Sequence, residues 1–212
     1  MIVGTIFGAA LNDREHHRHM AAAFIEPPYK QPPNKPVLYI KPRACLMGDS
    51  AIIPIPPDLE QIEVAATLGL LIGRDAHRIP QDSALAYICG ICLALDASEP
   101  CDSFYRPPVR QRCRDGFLRL GRLAPFNAKV MNNPIETFAD DRKVHSWSTE
   151  RLLRDAATLI ADISVFMTLA AGDLLLVGLA YDAPRSRPGC RIIARCGNLP
   201  GLSVSLQVES VA

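Results

Sequence analysis

The stretch Ile62-Glu63-Val64-Ala65-Ala66-Thr67-Leu68-Gly69-Leu70-Leu71-Ile72-Gly73 decides the fold of this chain. Read as a strand, it has two faces, because successive side chains of a strand point to opposite sides of the sheet. One face is wholly apolar and predicts a core face: Ile62, Val64, Ala66, Leu68, Leu70 and Ile72. The other is mostly small: Glu63, Ala65, Thr67, Gly69, Leu71 and Gly73. Small residues on a buried strand indicate close approach of a second backbone or of a ligand.

The composition around this strand indicates a single domain that binds neither nucleic acid nor membrane. The chain has 212 residues, 49% of them hydrophobic, and a net charge of +1, which provides no field for a polyanion or an acidic membrane surface. No apolar run is long enough to span a bilayer, and the N-terminus lacks a signal pattern. Seven cysteines without framework spacing predict reduced thiols in a cytoplasmic protein. Cys89 and Cys92, an isolated Cys-x-x-Cys pair, are interpreted as buried thiols and not as zinc ligands.

The remaining pattern predicts many short strands and few helices, and therefore an α+β, β-rich sandwich or roll instead of a doubly wound sheet. Strands are predicted at residues 2–10, 37–42, 52–57 (edge strand or loop), 62–73, 88–95, 174–179, 191–195 and 202–208. A helix follows a cap at Asn12 or Asp13, and a short helix spans 81–87. Ser148 or Thr149 caps an amphipathic helix whose apolar stripe is Leu152, Leu153, Ala156, Leu159, Ile160, Ile163 and Phe166.

Several polar groups are candidate functional residues. His16, His17 and His19 are metal ligands, a proton relay or a solvated helix face, and His16 and His19 share one helix face. Four arginines within nine residues suit capture of carboxylates or phosphates, or form a solvated loop: Arg106, Arg110, Arg112 and Arg114. Asp96 ends an apolar run, where it presents a carboxylate at the rim of a sheet or forms a turn.

Motifs in a fixed order resemble the fumarylacetoacetate hydrolase superfamily. They are Ile40-Lys41-Pro42, Leu68-Gly69-Leu70-Leu71-Ile72-Gly73, Tyr87-Ile88-Cys89-Gly90 leading to Leu95-Asp96-Ala97-Ser98, Arg114-Asp115-Gly116-Phe117, Phe166-Met167-Thr168-Leu169 with Gly172-Asp173, and Pro188-Gly189. Gly4-Thr5-Ile6-Phe7, Ser103-Phe104-Tyr105-Arg106-Pro107 and Cys113-Arg114-Asp115-Gly116 resemble one branch, the first half or first subunit of the isomerase/decarboxylases of 4-hydroxyphenylacetate (homoprotocatechuate) degradation. The resemblance implies a mixed β-sandwich roll of that family's C-terminal-domain type over residues 1–212. Residues 1–45 would supply an N-terminal strand, the His-rich helix and a Pro-rich loop, and residues 46–212 the β-roll body.

The resemblance also implies a magnesium or manganese ion that holds a 2-oxo-carboxylate, with three carboxylate ligands. The family's Glu-x-Glu pair falls on Ala65 and Thr67, which are not ligands, whereas its aspartate matches Asp96. Its lid histidine falls on His16 and the accompanying glutamate on His19, and a family lysine falls on Arg112. Lys41 and Asp115 match, and a turn with two threonines reads Val177-Gly178-Leu179-Ala180. A shift in the register of this strand would place the carboxylate of Glu63 at one of the two Glu-x-Glu positions.

Three hypotheses follow from this comparison. In the first, the chain is a metal-free, non-catalytic subunit of a 2-hydroxyhepta-2,4-diene-1,7-dioate isomerase / 5-carboxymethyl-2-oxo-hex-3-ene-1,7-dioate decarboxylase. It then pairs with a homologous second subunit that holds the magnesium or manganese, or forms a homodimer. In the second, it is an active metal-independent enzyme on a small dicarboxylate. In the third, it is a small-carboxylate binding module.

The candidate site residues divide into two groups for these hypotheses. The candidate catalytic residues are His16, Asp96 and Arg112, with His16 as the base. The candidate substrate-binding residues are Lys41, Arg106, Arg110, Arg114 and Asp115.

Overall fold

The computed structural model describes residues 4–46, 52–101 and 103–209, which form two packed β-sheets with short helices at their edges. The strands are β1 (Ile6–Ala10), β2 (Val37–Lys41), β3 (Ile52–Ile55), β4 (Ile62–Ile72), β5 (Ile88–Ser98), β6 (Leu118–Leu120), β7 (Ala124–Pro125), β8 (Ile135–Ala139), β9 (Arg142–Trp147), β10 (Leu174–Leu176), β11 (Arg185–Ser186), β12 (Arg191–Cys196) and β13 (Leu202–Val208). The α-helices are α1 (Arg14–His19), α2 (Ala21–Ile25), α3 (Val109–Arg112) and α4 (Ala156–Ser164). Turns of 3-10 helix span Arg43–Cys45, Gln81–Tyr87, Ala128–Asn132 and Thr149–Arg151. The β-rich mixed sandwich predicted from the sequence is confirmed.

The larger sheet is built on the antiparallel pair β4 and β5. Its order is β2-β1-β10-β4-β5-β6, with β11 added to β4 and β7 added to β5, and the smaller sheet has the order β3-β13-β12-β8-β9. The N-terminal segment belongs to the larger sheet, because β1 pairs in parallel with β10 and antiparallel with β2. The predicted edge strand at 52–57 is β3, which pairs in parallel with β13 at the edge of the smaller sheet.

The two predicted faces of β4 are confirmed. The apolar face joins one core cluster with residues of the smaller sheet, including Ile192, Val204 and Leu206. The Trp147 indole of β9 donates a hydrogen bond to the Ala66 carbonyl of β4 at 2.8 Å. The N–H group of the buried indole therefore finds its acceptor between the two sheets. The small face turns away from this core and receives the side chains of the neighbouring elements.

The helix predicted from Ser148 or Thr149 to Phe166 is shorter than expected. Ser148 caps only a 3-10 turn, and α4 begins at Ala156 with the Asp155 carboxylate accepting from the Thr158 amide at 2.8 Å. Leu152 and Leu153 are not helical because Asn12 binds this segment: its carbonyl accepts from the Leu153 amide, and its side chain accepts from the Arg154 amide. Tertiary hydrogen bonds therefore override the helical periodicity. Phe166 lies beyond the end of α4 and is 61% exposed.

Other boundaries also differ from the predictions. The first strand covers Ile6–Ala10, and residues 2 and 3 of the predicted strand lie outside the described part of the chain. The strand predicted at 88–95 runs on to Ser98, so Asp96 lies within β5 and not at its end. Of the pair interpreted as buried thiols, Cys92 is buried but Cys89 is exposed, because residues three apart on a strand point to opposite faces. Within the described residues, no helix is long and apolar enough to cross a membrane.

Candidate functional site

Asp96 is held by two side chains of strand β2. Its backbone lies opposite Ala65 in the β4–β5 register, and its carboxylate is buried. One carboxylate oxygen, Oδ1, lies 2.7 Å from Lys41 Nζ, and the other, Oδ2, accepts a hydrogen bond from the Tyr39 hydroxyl. The negative charge of Asp96 is therefore matched by the ammonium of Lys41, and Oδ2 has a hydrogen-bond donor, whereas Oδ1 accepts no hydrogen bond from the described residues.

All hydrogen-bond donors of the Lys41 ammonium are satisfied by other parts of the chain. The residue is 1% exposed, and its ammonium donates to the carbonyls of Ala97, Arg112 and Phe117 at 2.9, 2.5 and 3.1 Å. A buried ammonium is tolerated only when its donors are satisfied and its charge is paired, and both conditions are met here. Lys41 thus joins β2 to β5, α3 and the segment before β6, and it does not line the cavity described below.

The ring of Tyr39 fills the space beside Ala65. It packs over Gly8, where an added Cβ would lie 2.1 Å from the ring, and against the small cluster formed by Ala65, Leu179 and Ala183. Burial, reinforced by the neighbouring Asp96 charge, raises the pKa of the Tyr39 hydroxyl well above its ordinary value. The phenol therefore stays protonated and serves as a hydrogen-bond donor. The close approach expected on the small face is made by a tyrosine ring.

Thr67, the second position of the small face, is also engaged by the chain. Its buried hydroxyl donates to the Gly178 carbonyl at 2.5 Å. Gly178 lies in the turn segment 177–180 that precedes Tyr181, so this bond fastens that segment to β4. Ala65 provides no donor atom, and Asp96 is already paired. A divalent cation, which requires several free oxygen ligands, does not fit these residues.

In the part of the chain that the structure describes, no group of three or more histidine, cysteine, aspartate or glutamate side chains is close enough to hold a metal ion. Glu63, the residue that a register slip could have brought to the site, stays two residues away from Ala65 in the observed register, opposite Ser98. The register of β4 therefore does not return a carboxylate to the predicted metal position.

A cavity of about 340 Å³ lies next to this closed position, and we call it the α1 cavity. Its polar lining comes from α1, the ends of β4 and β5, α3 and β11: His16, His19, Glu63, Ser98, Arg112 and Arg185, with Tyr181 of the segment before β11 beside them. Glu63 lies between Ser98 of β5 and Arg185 of β11 in the sheet register. The cavity is therefore lined by one acidic and one cationic side chain on adjacent strands, Glu63 and Arg185. Neither Asp96 nor Lys41 lines it.

Arg112 is the buried cation of the α1 cavity. The residue is 5% exposed, and its guanidinium carbon lies 5.2 Å from the centre of the Tyr39 ring. Among the described residues, its Nε atom is buried and has no hydrogen-bond acceptor. A buried donor without a partner is costly and points to a missing acceptor.

His16 is the candidate base of the cavity. Burial lowers the pKa of its imidazole from 6.5 to about 4; the Asp13 carboxylate opposes the shift, and the charges of His17, Arg112 and His19 add to it. The ring lies against Phe104 and Tyr181, with centroid distances of 4.9 and 5.3 Å. His16 is consequently neutral at pH 7.

Helix α1 is fixed in place by Asp13. This buried carboxylate caps the helix by accepting from the Glu15 amide, and it also accepts from the Tyr181 amide at 2.8 Å. Arg151 donates to Asp13 from Nε and Nη2 at 3.1 and 2.5 Å and reaches Asp182 at 3.0 Å. The network holds helix α1 beside the segment that carries Tyr181, whose ring is in contact with that of His16.

The other predicted residues are dispersed. Arg106 and Arg110 are exposed and do not line the α1 cavity, and Asp115 is exposed on the loop before β6. Arg114 forms an ion pair with Glu99. His17 turns away from the cavity, with its ring 5.1 Å from Phe24. Of the four clustered arginines, only Arg112 lines the cavity.

Sequence reasoning missed Arg185, Tyr39 and the position of Glu63. Arg185 lies outside every strand and helix predicted from the sequence, and only the pairing of β11 with β4 brings it to the cavity. Tyr39 lay in the short strand before the Ile40-Lys41-Pro42 motif, and nothing local in the sequence indicates that its ring reaches Ala65. A pattern of a large aromatic residue opposite Gly8 and Ala65 is visible only after β1, β2 and β4 are placed side by side.

The chain is similar in sequence to one known protein family. Residues 5–191 match the model of the fumarylacetoacetate (FAA) hydrolase C-terminal family. The chain is 39% identical over 206 residues to the 4-hydroxyphenylacetate degradation bifunctional isomerase/decarboxylase of Salmonella dublin, and 38% identical over 199 residues to the protein of that name from Escherichia coli. These matches cover 97% and 94% of this chain but 48% and 46% of the relatives, so the chain spans about half of their length.

Solved structures agree on the fold. The fumarylpyruvate hydrolase from Pseudomonas aeruginosa, in complex with Mn²⁺ and pyruvate, matches with a TM-score of 0.82 and 21% identity over 98% of this chain and 91% of that one. The 2-hydroxyhepta-2,4-diene-1,7-dioate isomerase from Mycobacterium marinum matches with a TM-score of 0.80 and 18% identity, over 100% of this chain and 77% of that one. At this identity the likeness concerns the fold alone.

Proposed function

The chain belongs to the fumarylacetoacetate hydrolase family, and we propose that it serves there as a metal-free subunit of an isomerase/decarboxylase acting on 2-oxo-dioates. The identity to the 4-hydroxyphenylacetate enzymes supports this pathway class. Because the chain spans about half of those relatives, a homologous second subunit would complete the assembly and carry the magnesium or manganese ion.

One observation carries the proposal: the family's aspartate position is closed by the chain's own side chains. Asp96 is bound by Lys41 and Tyr39, the Tyr39 ring occupies the space beside Ala65, and Thr67 donates to Gly178. Ala65 and Thr67, at the positions where the resemblance implies two carboxylates, are thus engaged by other parts of the same chain. Freeing Asp96 for a cation would require displacing the partly buried Tyr39 ring and breaking a buried ion pair, which is costly.

A second function has one observation in its favour. His16 is neutral at pH 7 and lies in the same cavity as Arg112. A neutral imidazole can accept a proton from the carbon next to a keto group while a guanidinium holds the substrate carboxylate. On this reading the chain is a metal-independent tautomerase or decarboxylase, and His16 acts as the base.

Calorimetric titration of the isolated chain with MnCl₂ tests the metal-free proposal. We expect no saturable heat at pH 7.5. A variant that carries Tyr39→Ala, Ala65→Glu and Thr67→Glu provides the positive control, because it opens the space and returns two carboxylates. Its fold is checked by the emission of Trp147, the only tryptophan of the chain, which is buried. Micromolar binding of Mn²⁺ by the unaltered chain, abolished by Asp96→Asn, contradicts the proposal.

Turnover measurements separate the two functions. A 2-oxo-dioate is supplied first to the chain alone and then to a mixture of the chain with a homologous subunit that retains its Glu-x-Glu pair. Decarboxylation and tautomerisation are measured in both cases. The metal-free subunit predicts activity only in the mixture and no effect of His16→Gln. Turnover by the chain alone that His16→Gln removes and EDTA does not change establishes the second function instead.

A further inference from the structure

Strand β2 is an open edge of the larger sheet. It pairs with β1 on one side, and in the part of the chain that the structure describes no strand pairs with its other side. Other edge strands have features that discourage pairing with another chain: β9 carries the exposed Arg142 and Lys143, β3 contains Pro54, and β6, β7 and β11 have only two or three residues. β2 has five residues and no exposed charge, because its lysine, Lys41, is buried.

An apolar groove of about 410 Å³ runs along this open edge, and we call it the β2 groove. All residues from Val37 to Ile40 line it. Because neighbouring side chains of a strand point to opposite faces, the groove follows the edge of β2 and not one face of the sheet. The opposite wall is mostly apolar and comes from α3 and the segment before it: Phe104, Tyr105, Pro107, Pro108, Val109 and Cys113. Ile40, Tyr105 and Val109 are each more than half exposed, so the described residues leave the groove open.

The backbone of β2 presents hydrogen-bonding groups to the groove. The Ile40 carbonyl accepts a hydrogen bond from the Cys113 thiol at 3.3 Å, so this carbonyl points away from β1. Backbone groups on one side of a strand recur at every second residue, which places those of Leu38 on the same side. A thiol is a weak donor, and a peptide N–H would bind the carbonyl more strongly. Pro36 and Pro42 flank the strand and lack an N–H, so they limit pairing to β2 itself.

The surroundings of the β2 groove are cationic. Three exposed arginines, Arg43, Arg106 and Arg110, adjoin residues that line it. No acidic residue adjoins a lining residue directly in the sequence. Two copies of the chain that met at this edge would bring their arginines together, which is unfavourable. A segment with carboxylates on both sides of an apolar centre would meet these arginines favourably.

We propose that the β2 groove is a docking site for an extended segment of another polypeptide, apolar at its centre and flanked by aspartate or glutamate. The segment adds as a further strand beside β2, so that its backbone pairs with Leu38 and Ile40 and its apolar side chains enter the groove. Its carboxylates meet the exposed arginines, of which Arg106 and Arg110 lie outside the α1 cavity. Docking does not depend on the metal-free proposal, because the positions of the predicted metal site do not line the groove.

Fluorescence anisotropy with a defined peptide tests the site on the full chain. The probe is fluorescein-Glu-Glu-Val-Thr-Ile-Thr-Val-Glu-Glu-amide, and we expect saturable binding that weakens as salt is added. A peptide with lysine in place of each glutamate should bind about tenfold more weakly or less, because its charges repel the arginines. A peptide that is N-methylated throughout its Val-Thr-Ile-Thr-Val centre should not bind, because it cannot donate hydrogen bonds to β2.

Two substitutions at exposed positions of the groove test its location. Ile40→Asp and Val109→Asp each place a carboxylate among the apolar contacts, and each should weaken binding of the acidic peptide by about tenfold or more. Val144→Asp is the matched control, because Val144 is 45% exposed, lies on the edge strand β9 of the other sheet and does not line the groove. It should leave binding unchanged. The emission of Trp147 verifies the fold of each variant.

Several outcomes would overturn the proposal. They are no binding of the acidic peptide at millimolar concentration, equal binding of the lysine peptide, retained binding of the N-methylated peptide, and equal losses in Val109→Asp and Val144→Asp. Sedimentation velocity examines the competing occupant, a second copy of the chain. We expect Ile40→Asp to leave the oligomeric state unchanged. If the unaltered chain forms dimers that Ile40→Asp converts to monomers, the groove holds a second copy and the proposal is wrong.

Discussion

Lys41 Nζ lies 2.7 Å from Asp96 Oδ1, and neither side chain retains any exposed surface. The ammonium also binds three backbone carbonyls, and the Tyr39 hydroxyl binds the second carboxylate oxygen. The pair thus ties β2 and β5 together across a position that the family resemblance assigns to a metal ligand. Within this chain the charge of Asp96 stabilises the fold, and its loss should be measured as stability.

Lys41→Met should be the most destabilising single change at this position. It leaves a buried carboxylate without its cation, which costs about 3–5 kcal/mol of unfolding free energy. Urea unfolding, followed by the fluorescence of the buried Trp147, provides the measurement. Lys143→Met, at an ion pair whose lysine is 56% exposed, should cost less than about 1 kcal/mol. The double variant Lys41→Met/Asp96→Asn should lose less unfolding free energy than the two single variants lose in sum. If the losses were strictly additive, the two groups would not interact.

Tyr39→Phe removes a hydroxyl and keeps the ring beside Ala65. We expect a loss of about 1–3 kcal/mol, because the carboxylate of Asp96 loses one buried donor and keeps its ion pair. Tyr105→Phe is the control, since Tyr105 is 56% exposed, and it should change the unfolding free energy by less than about 0.5 kcal/mol. Equal effects of the two substitutions would show that the Tyr39 hydroxyl does not hold Asp96.

Thr67→Val tests the bond to the Gly178 carbonyl with little change of shape. The carbonyl loses its 2.5 Å partner, and the cost should be about 1–2 kcal/mol in urea unfolding. Thr67→Ser retains the hydroxyl and loses one methyl group, so it separates hydrogen bonding from packing. If Thr67→Ser proves as damaging as Thr67→Val, packing and not the hydroxyl is what holds the 177–180 turn.

His16 should make the chain less stable in mild acid. Its pKa is lowered from 6.5 to about 4 in the folded state, so below pH 6.5 the unfolded chain takes up a proton that the folded chain resists until about pH 4. The free energy of unfolding therefore falls as the pH drops through this window. The groups that face the imidazole are Asp13, which favours protonation, and His17, His19 and Arg112, which oppose it.

Urea unfolding at pH 7.5 and pH 5 measures this effect. His16→Gln should flatten the decline between the two pH values, whereas His77→Gln, on a histidine outside the cavity, should not. The pKa of His17 is also lowered by burial, so part of the decline should persist in His16→Gln. A slope that His16→Gln leaves unchanged would show that the imidazole of His16 is solvated in the folded chain.

The alternation of residues 62–73 was sufficient to predict a central strand with one core face and one closely approached face. Alternation survives in the fold because burial acts on every second side chain of a strand, whatever its neighbours are. The order of motifs likewise indicated the family, and with it the positions Ala65, Thr67 and Asp96. The neutral side chains of Ala65 and Thr67, at positions where the resemblance implies carboxylates, can be read from the sequence without a structure.

What replaces them was decided by the tertiary structure. Tyr39 and Lys41 of β2 lie far from Asp96 along the chain and meet it because β2 and β5 belong to one sheet. The same holds for Arg185, which reaches the cavity through a two-residue strand, and for Leu152 and Leu153, which Asn12 holds out of a helix that their periodicity favours. Local patterns indicate which face of an element is buried. The partner of a buried polar group depends instead on which distant strands pair, and no local pattern in a single sequence indicates that.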